Sequence, residues 1–171
     1  MGQPQARVRR HPVAAVKIAG IDLSTHAVDV VLVPLDGNGT PEWRRYRLDG
    51  PSSFDRARTV RDAMPPRTGG LWDNVIAVGI EDPRGHSAGH SYRIQGAILS
   101  CLPASVLVQP WIPSAWRRAV GLAGNASKED VAVFTGRNRG AVLGHWPQDA
   151  CDAYCIALAT RDAVTVGEAA A

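Results

Sequence analysis

Apolar and polar positions divide the chain into two kinds of segment. Val16 to Ser24 is an unbroken run of β-branched and small apolar residues until Asp22 interrupts it, and it reads as a buried strand. Ala27–Leu35 is a second apolar run, followed by the turn sequence Asp36-Gly37-Asn38-Gly39. Trp43–Leu48 alternates as a third strand. The chain thus opens with a three-stranded antiparallel meander. Ser52 or Ser53 caps a helix running to about Met64, which Pro65-Pro66 stops. A fourth strand covers 74–81, a Pro-Arg-Gly-His loop follows, and a helix runs from Ala88 to Leu102. Ser105–Gln109 is a short fifth strand, and Pro110 and Pro113 break what comes next. Trp116–Val120 is helical, Gly121–Asn125 a loop, and Ser127 caps a helix to about Thr135 with Glu129 and Asp130 in its first turn. Gly136–Gly144 is a basic, glycine-containing linker before a last helix, 149–163. Three antiparallel strands and then helix–strand–helix–strand make an α/β fold, a mixed five-stranded sheet flanked by helices.

Four carboxylates do not suit this pattern. Asp22 ends the first buried strand and Glu81 the fourth. Asp149 and Asp152 stand three positions apart, on one face of a helix that is apolar nearly all round. Desolvating a carboxylate is costly unless a cation lies against it. One reason shared by all four acids is a divalent metal site, and hard oxygen ligands suit Mg²⁺, with Mn²⁺ as a substitute, rather than zinc.

Composition narrows the setting. The 171 residues suffice for one domain, expected over 16–163, with a flexible basic tail at 1–15 and a C-terminal tail at 164–171. No apolar run approaches the roughly 20 residues of a membrane span, and no membrane role is expected. Arg7, Arg9 and Arg10 precede no apolar core segment, so no secretory signal is expected either. Cys101, Cys151 and Cys155 cannot all pair and lack zinc-type spacing, which suits a reducing cytoplasm; Cys151 and Cys155 read as small core side chains. The net charge is only +3, yet of 19 basic residues all but Lys17 and Lys128 are arginine, a side chain suited to gripping phosphate oxygens. Arg117, Arg118, Arg137 and Arg139 flank the acids in sequence and are the candidates for contact with a DNA backbone.

The same residues carry a resemblance. Gly20-Ile21-Asp22-Leu23-Ser24 and Ile80-Glu81 resemble the first two acidic motifs of RuvC-type Holliday junction resolvases, members of the RNase H-like superfamily. The stretch Trp116 to Lys128, with Arg117, a small-residue loop and then Ala-Ser-Lys before a helix, is similar to their basic segment. Asp149-Ala150-Cys151-Asp152-Ala153 is similar to their Asp-x-x-Asp-Ala. The resemblance covers about residues 16–163. It implies an RNase H-like fold and a Mg²⁺-dependent structure-specific endodeoxyribonuclease, a crossover junction resolvase, acting as a homodimer on branched DNA such as the Holliday junction. It implies work in the cytoplasm of a bacterial or phage-infected cell. Carried over by position, it makes Asp22, Glu81, Asp149 and Asp152 the catalytic metal ligands, Lys128 the basic catalytic residue beside them, and Arg117 a DNA contact.

One segment departs from the resemblance. Family members carry an aromatic side chain shortly after the second acid, whereas here Asp82–His90 has none before Tyr92. Arg84 and His86 are therefore the expected DNA contacts of that loop; His86 and His90 have no further His or Cys to complete a zinc site. The helix 88–102 carries a stripe of Ile94, Ala97, Ile98 and Leu102. That stripe is expected to form the dimer surface, the competing expectation being that it covers the sheet. Gly-Ile-Asp-Leu-Ser also resembles the first phosphate motif of the actin and hexokinase superfamily, but 171 residues leave no room for the second similar domain those proteins need. Two rival functions stay open on the sequence: an RNase H-like nuclease acting on flaps or RNA/DNA hybrids, and a non-catalytic junction-binding protein.

Overall fold

The first strand, β1 (Lys17–Leu23), turns at Ser24 into β2 (Ala27–Pro34), and β3 (Glu42–Arg47) follows β2; both pairings are antiparallel. The computed structural model describes residues 15–65, 70–83, 88–139 and 146–169. The expected tail 1–15 therefore lies outside the described residues except for Ala15. After α1 (Ser53–Ala63), strand β4 (Val75–Glu81) pairs parallel with the other side of β1. After α2 (Ala88–Ser100), strand β5 (Leu107–Trp111) pairs parallel with β4. The sheet order is β3-β2-β1-β4-β5, the mixed five-stranded sheet expected from the pattern. Three helices complete the chain: α3 (Pro113–Ala119), α4 (Lys128–Arg139) and α5 (Gln148–Ala169).

Boundaries differ from the expected ones at proline and glycine. Pro110 lies within β5, an edge strand, where a missing N–H need cost no ladder bond. Pro113 begins α3 instead of preventing it, because the first turn of a helix needs no N–H from that position. Helix α4 runs on to Arg139, with Arg137 and Arg139 in its last turn, where cations favour the helix dipole. Only 140–144 of the expected linker lie outside the described residues. Helix α5 continues to Ala169, so most of the expected C-terminal tail is helical. Among the described residues no helix is long and apolar enough to cross a membrane.

Period-two alternation along the central strands divides the core between the two faces of the sheet. Ala19, Ile21, Val28, Val30, Val78 and Ile80 pack on one face with residues of α1 and α2. Ile18, Val31, Val33 and Ala77 pack on the other, with Trp116, Val131 and the apolar side of α5. Ile94, Ala97 and Ile98 are buried in the first cluster and Leu102 packs against it. The α2 stripe thus covers the chain's own core rather than offering a dimer surface. The reason is steric: α1 and α2 lie against each other over the sheet, and these side chains fill the space beneath.

Two glycines let α5 lie directly on the sheet. A Cβ at Gly20 would stand under 3.0 Å from the backbone of Ala153 and Ala157, and one at Gly79 under 3.0 Å from Thr160 and Ile156. The face that meets α5 is therefore the face of Gly20 and Gly79. Two residues further along each strand, the same face carries Asp22 and Glu81.

Candidate active site

Sheet register brings the first charges together. Ile21 pairs with Ile80 across the parallel β1–β4 ladder, so Asp22 and Glu81 follow side by side. In the other direction Asp22 is the cross-strand neighbour of Asp29, and Asp29 of Arg45. Helix α5, seated on Gly20, supplies Asp149 in its first turn and Asp152 one turn later. The four acids singled out in the sequence thus share one end of one face.

Their electrostatics show the crowding. Burial pushes the Asp22 carboxyl well above the usual carboxylate range, and the charges of Glu81, Asp152, Asp149 and Asp29 push it further. Among the described residues Asp22 receives no side-chain hydrogen bond and forms no ion pair. Asp152 is pushed up to about 6, first by burial. A hydrogen bond from Gln148 opposes that shift, Glu81 adds to it, and the charges of Arg117 and Lys128 pull it back.

The other acids each face a different donor. Glu81 Oε2 accepts from Trp116 Nε1 at 3.0 Å, and Trp116 is fully buried. Asp152 Oδ1 accepts from Gln148 Nε2 at 2.8 Å. Asp149 Oδ2 accepts from Arg45 Nη2 at 2.7 Å, and the same guanidinium grips the buried Asp29 through Nε at 3.1 Å and Nη2 at 2.9 Å. Trp43 Nε1 takes the remaining Asp29 oxygen at 2.7 Å. Among the described residues no three His, Cys, Asp or Glu side chains stand ready-made as metal ligands. Like charges repel, and three of the four acids turn to a hydrogen-bond donor. The donor set nonetheless fits a hard divalent cation: four carboxylates lie at one end of one face, and the charges of Glu81, Asp152, Asp149 and Asp29 all push the Asp22 carboxyl up.

Lys128 begins α4 as an exposed side chain. A cation in the first turn opposes the helix dipole, so helix stability does not account for it; its charge reaches Asp152. The cap is Ser127, whose Oγ accepts from Asp130 N at 3.1 Å while the Asp130 carboxylate accepts from Ser127 N at 2.8 Å. Gly121, with φ of 86°, ends α3 in the left-handed conformation and turns the chain toward that cap.

The arginines divide. Arg117 stacks its guanidinium 4.7 Å from the centre of the Trp116 ring and reaches Asp152 electrostatically, so it belongs to the site. Arg118 and Arg137 are exposed, and among the described residues neither pairs with a site acid. Arg139 is half-buried, 3.4 Å from the centre of the Trp146 ring, which packs on Trp43 and Tyr154. That geometry makes Arg139 part of a packing cluster rather than an open phosphate contact. Arg84 and His86 lie outside the described residues. Burial pushes the Cys155 thiol up to about 12 and raises that of Cys151, as suits core side chains.

Sequence reasoning missed Asp29, Arg45, Trp116 and Gln148. Signals existed for three of them. Asp29 interrupts an apolar strand as Asp22 does; Trp43 and Arg45 alternate onto one face of the next strand; Gln148 stands four residues before Asp152 on one helix. Trp116 carried no local sign of its partner.

No protein-family model matches this chain, and no curated protein matches it in sequence. Solved structures do match. The Thermus thermophilus RuvC structure aligns with a TM-score of 0.70 at 21% identity, over 89% of this chain and 97% of that one. T. thermophilus RuvC in complex with a Holliday junction substrate aligns with a TM-score of 0.70 at 18% identity, over 89% and 96%. The yeast mitochondrial Holliday junction resolvase aligns at 0.48 and 12% identity, over 86% and 78%. With its mixed five-stranded sheet, its flanking helices and its alignment over nearly the whole of T. thermophilus RuvC, the chain has the RNase H-like fold in its RuvC-type form.

Proposed function

We propose that this chain is a divalent-metal-dependent endonuclease that resolves four-way DNA junctions by phosphodiester hydrolysis. The observation that carries the reading is the meeting of Asp22, Glu81, Asp149 and Asp152 at one end of a RuvC-type sheet, where the charges of the other acids push the half-buried Asp22 carboxyl up. Those four side chains would hold Mg²⁺ or Mn²⁺. When bound, such ions supply Lewis acidity toward the phosphate and a water activated for attack. The chain's own groups do the rest. Trp116, Gln148 and Arg45 each orient one acid through a hydrogen bond. Lys128 stands where it can neutralise charge building on the phosphate in the transition state. Arg117, backed by the Trp116 ring, offers a phosphate contact beside Asp152, while Arg118 and Arg137 add weaker, solvated attraction for the backbone.

A four-way junction has two opposed strands to cut, so the active species in this reading is a homodimer acting in the cytoplasm. Its second copy would use a surface other than the buried α2 stripe. Synthetic four-way junctions, flaps and RNA/DNA hybrids incubated side by side, with and without Mg²⁺ or Mn²⁺, test the reading. Metal-dependent paired incisions in the junction are expected. Preferential cutting of hybrids or flaps would make the chain a different RNase H-like nuclease, and binding without cutting in either metal a junction-binding protein.

A further inference from the structure

A second basic feature lies at the same end of the sheet. Phe54, the second residue of α1, is 66% exposed, whereas the buried side chains of that helix are Ser53 and Val60. The Phe54 ring therefore does little for the core. A lone exposed phenylalanine needs no explanation, but this one is built into a cleft. Arg93 of α2 donates from Nη1 to Ser53 Oγ at 3.0 Å, and that bond steadies its guanidinium 4.8 Å from the centre of the Phe54 ring. The cleft, about 550 Å³, is lined by Thr25, His26, Phe54, Arg56, His90 and Arg93 among others, and no acidic side chain lines it among the described residues. Arg56 is anchored by bonds to the carbonyls of Gly50 at 3.0 Å and Thr25 at 2.9 Å, which ties α1 to the β1–β2 turn. Ser24 holds that turn, its Oγ accepting from Ala27 N at 3.0 Å.

The turn joins one wall of the cleft to the strand that carries Asp22. Thr25 follows Asp22 by three residues, so their Cα atoms are at most about 11 Å apart. That span equals about three nucleotide steps along one strand. An aromatic face, a steadied guanidinium and two imidazoles beside that turn match one ligand chemistry: an unpaired nucleobase to stack and its phosphates to neutralise.

We infer that the Phe54–Arg93 cleft is a stacking subsite for an unpaired base of the bound DNA, a few nucleotides from the cut. The inference rests on the nuclease reading above. It assigns Phe54 the stacking contact, Arg93 the steadying of the ring and a phosphate contact, and His26 and His90 the rim.

The test uses the full chain carrying Asp22→Asn, which prevents cleavage, and a duplex with a short single-stranded gap. 2-Aminopurine is placed at each unpaired position in turn. The parent protein is expected to quench the probe at one position. Phe54→Leu, which keeps apolar bulk without a π face, should abolish that quench and weaken binding of gapped DNA about ten-fold. Affinity for fully paired DNA should stay as in the parent, and Phe54→Trp should restore the quench. Phe54 is exposed, so both variants should fold, as circular dichroism can verify. Quenching and gapped-DNA affinity unchanged in Phe54→Leu overturn the subsite and leave the nuclease reading standing. A parent protein that binds neither gapped, paired nor four-way DNA overturns both.

Discussion

The indole N–H of Trp116 donates to Oε2 of Glu81 at 3.0 Å, from a ring wholly inside the protein. Glu81 ends a parallel strand and Trp116 sits in a short helix 35 residues later. Trp116→Phe keeps the ring and deletes the donor. A hydrogen bond to a charged group contributes about 1.5–3 kcal/mol, so the freed carboxylate should lower cleavage by roughly ten-fold or more. The loss should fall on the metal concentration needed for half-maximal rate, with junction affinity little changed. An unaltered metal titration would make the bond structural only.

Asp22→Asn keeps the shape of the side chain and removes the charge. Cleavage should be lost, while junction binding in chelator should be equal or stronger, since one negative charge near the phosphate is gone. Gel-shift titrations read the binding and junction incision reads the cleavage. Cutting at the wild-type rate would remove Asp22 from the ligand set.

The raised carboxyls give a signed pH dependence. Folded Asp22 and Asp152 hold their protons to higher pH than the unfolded chain does, so between about pH 4 and pH 6 the folded state binds more protons. In chelator, stability should rise as pH falls from 8 toward 5, and the benefit should disappear as pH rises through about 6. Mn²⁺ should reverse the trend, raising Tm at pH 8 far more than at pH 5, because ligand protonation competes with the ion. Asp22→Asn should flatten both responses. Thermal melts with and without Mn²⁺ measure this, and identical Mn²⁺ shifts at both pH values would contradict it.

Arg45 serves two acids of unequal burial. Arg45→Met strands Asp29, which is 1% exposed, and should destabilise the protein by about 3 kcal/mol. Adding Asp29→Asn removes the buried charge and should recover most of that stability. It should not recover the cleavage rate, because Asp149 still lacks its partner. Denaturant melts and initial rates on the three proteins separate the two roles; full recovery of rate in the double variant would show that Asp149 needs no help from Arg45.

Lys128→Ala should slow cleavage by one to three orders of magnitude, roughly the loss of one charged transition-state contact, with a smaller effect on binding. Single-turnover rates and gel shifts distinguish this from a pure binding defect. Junction affinity should also fall steeply with added salt, as phosphate contacts require.

Most of the fold and the identity of the four acids are legible in the chain's residues alone. Strands and helices announce themselves by the period of their apolar positions, a local property. An acid closing a buried run, as at Asp22 and Glu81, stands out because nothing local explains it. Prolines are the local weak point. Pro110 and Pro113 signal a missing N–H, but whether that N–H is needed depends on whether the strand is an edge and whether the residue opens a helix. Which surface of α2 meets what is likewise beyond the pattern, since an apolar stripe is the same whether it covers its own sheet or another chain.

Who holds the acids is settled by the packed molecule. Trp116 with Glu81 and Arg45 with Asp149 are partners 35 and 104 residues apart, joined by sheet register and by a helix lowered onto Gly20 and Gly79. Arg117 and Arg139 look alike in sequence. One stacks beside the acids and the other on Trp146, because α3 and the end of α4 pack against different parts of the same face. A hydrogen bond or stacked pair has a range of a few ångströms, and chain distance says nothing about which two groups come within it. Periodicity specifies which residues face inward, and packing specifies which of them meet.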